Sequence, residues 1–261
     1  MGRLDQRVAI VTGSGEGIGA AIARRFAAEG AAVVVAELRE SIGMAIVDEI
    51  TAAGGHAVFQ RTDVAQRAEN EAMVATAVAQ FGRLDILVNN AWGGGEISRV
   101  ERKTDALIDR GLAVGFRGPL WAMQAAFNPM RDQQYGRIIN LCSLNGVNAH
   151  MGTLEYNTAK EALRAATRTA AREWASTGIV CNVLCPAAKS AAFRRVMGEH
   201  PELQAAADAS NPMGRIGDCD DDIAPVALFL ASEDARYVTG NTIFADGGSH
   251  INGALWFPDL D

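Results

Sequence analysis

The stretch VAIVTGSGEGIGAAIARRFAAEG, near the N-terminus, limits the possible folds more than any other part of the chain. An apolar run, Val8–Val11, leads directly into Gly13, Gly17 and Gly19 and then into a helix-forming segment. A second apolar run, Ala32–Ala36, follows and ends in Glu37. Glycines in a strand-to-helix turn let the backbone approach a pyrophosphate, and the helix N-terminus behind them supplies N–H donors and a positive dipole end. Glycines also make ordinary turns. Here they follow a strand, open a helix and precede a second strand with a terminal carboxylate, which is the context that indicates dinucleotide binding.

The rest of the sequence repeats this rhythm. Strand-like runs stand at Val8–Val11, Ala32–Ala36, Ala57–Gln60, Leu84–Val88, Arg137–Leu141, Val180–Leu184 and Thr242–Phe244. Helix-like segments separate them at about 17–29, 40–54, 66–81, 105–131, 154–177 and 221–232. Short apolar strands without polar alternation, joined by helices, imply a parallel sheet covered on both faces. The expected fold is therefore α/β: a Rossmann-like, doubly wound parallel sheet of about seven strands, flanked by helices on both faces. No repeat, linker or low-complexity segment divides the 261 residues, so one domain spans 1–261. The rhythm breaks at about 187–215, after a strand and on the side where such sheets bind ligands, which suits a substrate lid. A tail, 249–261, closes the chain; its apolar Trp256, Phe257 and Pro258 suit packing on a neighbouring subunit.

Charge and composition exclude several classes. A net charge of −7 without a Lys/Arg block is unsuited to nucleic acid. No apolar run is long enough to cross a membrane, and the N-terminus enters its first strand without a signal-peptide pattern. Cys142, Cys181, Cys185 and Cys219 form no CxxC pair and have no accompanying histidine cluster, so they are expected to be structural thiols, with no metal site. The reading is a cytoplasmic protein in a reducing compartment.

Two further features carry chemistry. Glu37 can accept hydrogen bonds from both adenosine ribose hydroxyls and would repel a 2′-phosphate. Glu16 adds negative charge in the turn, while Arg39 lies two residues past Glu37 and weakens the repulsion. The expectation is NAD(H) over NADP(H). Tyr156 and Lys160, in the run LEYNTAKEALRAATRTAAREWA, stand one helical turn apart on a common face. A free phenol titrates near pH 10, too high for a good base at neutral pH, and a nearby ammonium together with a positive nicotinamide ring favours the phenolate. A surface helix would also produce such a pair.

The spacing TGxxxGxG with YxxxK far downstream resembles the short-chain dehydrogenase/reductase family, and the resemblance runs nearly end to end. It implies a cofactor turn formed by Gly13, Ser14, Glu16, Gly17, Ile18 and Gly19. It places Asp63 and Val64 at the adenine, and Asn90 and Ala91, in VNNA, beside the adenosine ribose. Pro186 and Ala187 match the segment after NVLC that carries the nicotinamide end. Ser143, thirteen residues before Tyr156, completes the catalytic set Ser143, Tyr156 and Lys160. In the family, Ser orients the substrate oxygen, Tyr acts as acid or base, and Lys also donates to the nicotinamide ribose. Hydride transfer between NAD(H) and a carbinol or carbonyl carbon is the implied reaction, and a homotetramer the implied assembly.

The sequence departs from the family in three places. Gly115 replaces an Asn whose main chain holds a relay water, so either the relay survives on the carbonyl or the glycine only makes room for helices at a subunit interface. Trp92 replaces a Gly and either walls the pocket or fills core, with the wall favoured. Ala187 and Ala191 replace the Gly and Thr of a cofactor-holding segment, where Ser190 is the available substitute. Substrate-side candidates are Trp92, Asn145, His150, Met151, Phe193 and Met197, mostly apolar or neutral. They suit a neutral, fairly bulky secondary alcohol or ketone, alicyclic or steroid-like. The alternatives are a 3-oxoacyl thioester reductase, which would favour NADPH and a basic docking patch, and a non-enzymatic NAD(H)-sensing protein, which typically lacks the Tyr or the Lys.

Overall fold

Strand β1 (Val8–Thr12) is buried at every residue, as its unbroken apolar run requires. It pairs in parallel with β2 (Ala32–Glu37) on one side and with β4 (Ile86–Asn89) on the other. The computed structural model describes residues 2–198 and 200–251. With β3 (His56–Arg61), β5 (Gly136–Leu141), β6 (Ile179–Pro186) and β7 (Thr242–Ala245), these strands form one seven-stranded parallel sheet in the order β3-β2-β1-β4-β5-β6-β7. After β3 the chain crosses back past β1, so the winding direction reverses between β1 and β4. Ligands of such sheets bind in the crevice at that reversal, beyond the C-terminal strand ends.

Helices cover both faces, and successive strand residues serve opposite cores. Ala9 and Val11 pack in one cluster with Ile22 and Phe26 of α1 (Gly17–Ala28) and with Ala227 and Leu228. Val8 and Ile10 face the other, with Met73 and Ala77 of α3 (Arg67–Phe81) and with Met123 and Met130. Helix α2 (Glu40–Ala52) adds Ile46 and Ile50 to the first cluster. Burying a large apolar side chain stabilises the fold by about 1.5–3 kcal/mol. The doubly wound, single-sheet architecture thus follows from strands that are apolar on both faces.

The boundaries differ from expectation in places. The segment 105–131 is not one helix. It is α4 (Asp105–Leu112), a π-turn over Ala113–Arg117, and α5 (Gly118–Asp132). Pro119 has no N–H to donate to the Gly115 carbonyl, so the α-helical ladder cannot pass through that point. The strand expected at Leu84–Val88 begins at Ile86, and just ahead of it the Asp85 N–H donates to the Val8 carbonyl while its carbonyl accepts from the Arg137 N–H. The Asp85 carboxylate accepts from the Val8 N–H at 2.9 Å and binds Arg7 and Arg83. A short helix that was not expected, α6 (Leu144–Val147), follows β5. The long catalytic-side helix α7 (Leu154–Trp174) runs beside β6. The 187–215 stretch contains α8 (Ala191–Met197) and α9 (Pro201–Ser210), and α10 (Ala224–Ala231) then packs on α1. Trp256, Phe257 and Pro258 lie outside the described residues, as does the Met197 side chain. All four cysteines are buried and free, and burial pushes the Cys142, Cys181 and Cys185 thiols up to about 12. Among the described residues no group of three or more His, Cys, Asp and Glu could hold a metal ion, and no helix is long and apolar enough to cross a membrane.

Candidate active site

The glycine turn is built by close approach. Gly13 has φ +62° and Gly17 φ +58°, a region that costs other residues strain. A Cβ on Gly13 would lie 2.8 Å from the Ala91 Cα, and one on Gly19 would lie 2.3 Å from the Gly13 carbonyl oxygen. The turn is fastened to β4 by Thr12 and Asn90. Asn90 Nδ2 donates to the Thr12 and Gly13 carbonyls at 2.9 and 3.0 Å, while the Asn90 and Ala91 N–H groups donate to Thr12 Oγ1. Ser14 Oγ donates to the Val11 carbonyl at 2.7 Å, and Glu16, at the N-cap of α1, makes no side-chain cap bond. The first amides of α1, at Gly17, Ile18 and Gly19, therefore face the turn without a side-chain cap. Bare glycine surface in front of an uncapped helix N-terminus fits the pyrophosphate of a dinucleotide. Thr12, not singled out from the sequence, proves to be the fastener; its place just ahead of Gly13 was the available signal.

Glu37 ends β2 and is 6% exposed, with its carboxylate turned toward the turn. It accepts from the Gly15 N–H and the Arg39 N–H, both at 3.1 Å. The Arg39 guanidinium bonds Glu16 at 2.7 Å, and Arg195 of α8 reaches the same oxygen at 2.9 Å. Arg195, ahead of Arg39, holds the Glu16 carboxyl below its ordinary value against the opposing effect of burial. Arg39 is thus engaged with Glu16 more closely than with Glu37, whose oxygen lies 3.7 Å from its Nε. Asp63 receives the Ala65 N–H and its own N–H donates to Glu69, while the Val64 carbonyl accepts from Asn70. Pro186 pairs with Ala245, and the Ala187 N–H donates to the Ala245 carbonyl at 2.9 Å.

Ser143 leaves β5 as the N-cap of α6, its Oγ accepting from the Asn145 N–H at 3.1 Å. Tyr156 comes to it from the first turn of α7. Burial pushes the Tyr156 phenol up to about 12, and a hydrogen bond with Ser143 opposes the rise. That burial opposes the lowering expected from Lys160 together with a positive nicotinamide ring. Lys160 is itself buried, and burial pushes its ammonium down. Its Nζ donates to the Leu141 carbonyl at 2.6 Å and sits 5.7 Å from the centre of the Tyr156 ring. An aromatic ring face is favourable to a cation at that range.

Trp92 crosses this site. Its ring meets Tyr156 edge to face, with centroids 4.6 Å apart, and its centre lies 5.8 Å from Lys160 Nζ. Gly115 is buried against it: a Cβ there would stand 2.7 Å from Trp92 Cζ3 and 2.8 Å from the Ala159 Cβ. Within the chain the glycine makes room for the Trp92 side chain. Asn145 is half-buried beside Ser143. His150 is exposed, and its carbonyl accepts from Asn157 Nδ2. Met151 is 95% exposed. Ser190 caps α8 by accepting from the Phe193 N–H at 3.2 Å, so its hydroxyl is already engaged. Helix α8 meets the glycine turn here, with the Ala191 N 3.1 Å from where a Gly17 Cβ would sit.

Comparison with known proteins agrees with this geometry. A sequence profile described as enoyl-(acyl carrier protein) reductase matches residues 13–250. The 2,5-dichloro-2,5-cyclohexadiene-1,4-diol dehydrogenase LinX of Sphingobium indicum is 36% identical over 250 residues, covering 94% of this chain and 97% of that protein. The crystal structure of levodione reductase superposes with a TM-score of 0.88 at 30% identity, over 95% of this chain and 99% of that one. A 7α-hydroxysteroid dehydrogenase complexed with NADH and 7-oxo glycochenodeoxycholic acid gives 0.89 at 32% identity, over 94% and 95%. With the glycine turn, the seven-stranded sheet and the Ser143–Tyr156–Lys160 constellation in place, these matches make the chain a member of the short-chain dehydrogenase/reductase family of oxidoreductases.

Proposed function

We propose that the protein transfers hydride between NAD(H) and a neutral, fairly bulky secondary alcohol or ketone. The observation that carries this reading is the meeting of Ser143 and Tyr156 beside buried Lys160, at the strand ends that also carry the glycine turn. A bound nicotinamide would supply or accept the hydride. Ser143 holds the substrate oxygen by hydrogen bond, and Tyr156 gives that oxygen its proton in reduction or takes it in oxidation. Gly13, Ser14, Gly17, Ile18 and Gly19 would hold the pyrophosphate, and Asp63, Val64, Asn90 and Ala91 the adenosine. Pro186 and Ala187 would flank the nicotinamide, and Lys160 would donate to its ribose. Gly13→Ala is expected to weaken dinucleotide binding by about tenfold or more, because a φ of +62° and contact with backbone both oppose a Cβ. Fluorescence titration with NADH measures it.

Glu37 supports NAD(H) over NADP(H). Its buried carboxylate is anchored to the Gly15 amide, and a 2′-phosphate brought close to it would be repelled. Glu37→Ala should raise the NADP/NAD ratio of kcat/KM by about tenfold or more. A wild-type preference for NADP would defeat the assignment. A neutral substrate is supported by exposed apolar side chains near α6: Val147 within it, Met151 shortly after it, and Ile97, which lies against Gly152. Relatives named for a cyclohexadiene diol and a hydroxysteroid agree with a cyclic alcohol or ketone as the reacting group. Following nicotinamide absorbance through a panel of cyclic alcohols, ketones and 3-oxoacyl thioesters tests the reading; turnover of the thioesters alone would replace it. A cytoplasmic homotetramer, assembled through α5 and α7, completes the proposal, and light scattering checks the assembly.

A further inference from the structure

The indole of Trp92 touches three things at once. Its Cζ3 lies over the bare Cα of Gly115, its ring packs edge-on against Tyr156, and its centre lies within 6 Å of the Lys160 ammonium. Among the described residues the ammonium donates to one hydrogen-bond acceptor, the Leu141 carbonyl, and otherwise faces the two rings. The π-turn that carries Gly115 is what brings its backbone to the indole, since Pro119 breaks the regular ladder there. A side chain at 115 and the indole at 92 compete for one volume.

We propose that Trp92 is a positioning residue for proton transfer: seated in the space that Gly115 leaves open, its indole fixes the Tyr156 ring and shields the Tyr156–Lys160 pair from water. The proposal rests on the reading of Tyr156 as the acid and base. Position 115 is glycine because position 92 is tryptophan, and the pair functions as one unit. Without the indole, Tyr156 loses its edge-to-face neighbour and Lys160 one of its two ring partners, while Ser143, Cys142 and Cys185 still face the phenol and Arg110 still stands beside Gly94.

A double-mutant cycle tests the steric half without any substrate. Gly115→Ala should lower Tm by about 4–8 °C. In a Trp92→Ala background the same exchange should cost half as much or less, with the remainder due to Ala159. Equal losses in both backgrounds would overturn the proposal. Kinetics test the other half. Trp92→Ala should lower kcat by about 10–100-fold with the ketone KM changed less than about threefold, and Trp92→Phe should restore kcat to within about fivefold of wild type. A raised KM with kcat intact would make Trp92 a wall of the pocket and nothing more, which overturns it. A wild-type protein that turns over no alcohol or ketone removes the role of Tyr156 itself, and that failure is recognised before any variant is made.

Discussion

Tyr156→Phe should cut kcat by about 10²–10⁴-fold in both directions while leaving NADH affinity within about twofold of wild type. The exchange removes one oxygen and keeps the ring, so the edge-to-face contact with Trp92 survives. In the proposed mechanism, what disappears is the group that exchanges a proton with the substrate oxygen. The pH dependence follows from the direction of the phenol's shift. Burial raises it to about 12, so the protonated form dominates through neutral pH. Ketone reduction uses that form and should not fall between pH 6 and 9 on account of Tyr156. Alcohol oxidation uses the phenolate, whose fraction rises tenfold per pH unit below its pKa, so oxidation should rise with pH over the same interval. Measuring kcat/KM in both directions decides it; oxidation that is fastest at pH 6 would contradict the assignment.

Much of this was legible before any coordinates, for reasons specific to particular residues. Val8–Val11 and Ala32–Ala36 are apolar at every position, which only a strand covered on both faces tolerates. Gly13 and Gly17 occupy positive-φ positions that their neighbours in the chain already implied. Ser143, Tyr156 and Lys160 were found because their spacing is local or conforms to a known family pattern. The state of the phenol was not legible. Its neighbours in sequence suggested a lowered value, but burial of the ring dominates, and the Trp92 indole packed on it comes from a distant segment. The broken helix at 113–117 was legible only in part: Pro119, two residues on, removes an N–H that the ladder needs, whereas the indole above Gly115 comes from a distant loop. Sequence spacing conveys contacts within one helix well. It conveys poorly those that arise where a loop after β4 crosses a helix from much later in the chain.

One such contact yields the second large effect. Lys103 and Glu155 form an ion pair with Nζ to Oε2 at 2.6 Å, and their side chains are 2% and 1% exposed. Lys103 also donates to the Gly152 carbonyl at 3.0 Å and to that of Glu96, and Glu155 Oε1 accepts the Glu96 N–H at 2.8 Å. The pair ties the loop after β4 to the residue just before Tyr156. Burial pushes the Glu155 carboxyl up, but the Lys103 ammonium and the Glu96 N–H outweigh it and hold the group below its ordinary value. A depressed carboxylate contributes stability above its unfolded value and loses it as the pH falls through the folded one. Lys103→Met reverses the sign: the buried carboxylate is left unpaired, at a cost of about 3–5 kcal/mol at neutral pH. That corresponds to a Tm lower by roughly 10 °C. The gap to wild type should be smaller at pH 5 than at pH 8, since the unpaired Glu155 can then take up a proton. Lys103→Met combined with Glu155→Leu should recover most of the lost stability, because an apolar pair leaves no charge to desolvate. If the double variant recovers its Tm but stays slow, with KM for NADH unchanged, the ion pair holds Tyr156 at its working position as well as holding the fold together. Calorimetry at the two pH values settles the first part, and if the Lys103→Met deficit did not grow with pH, Glu155 would not be the charge that the fold has buried.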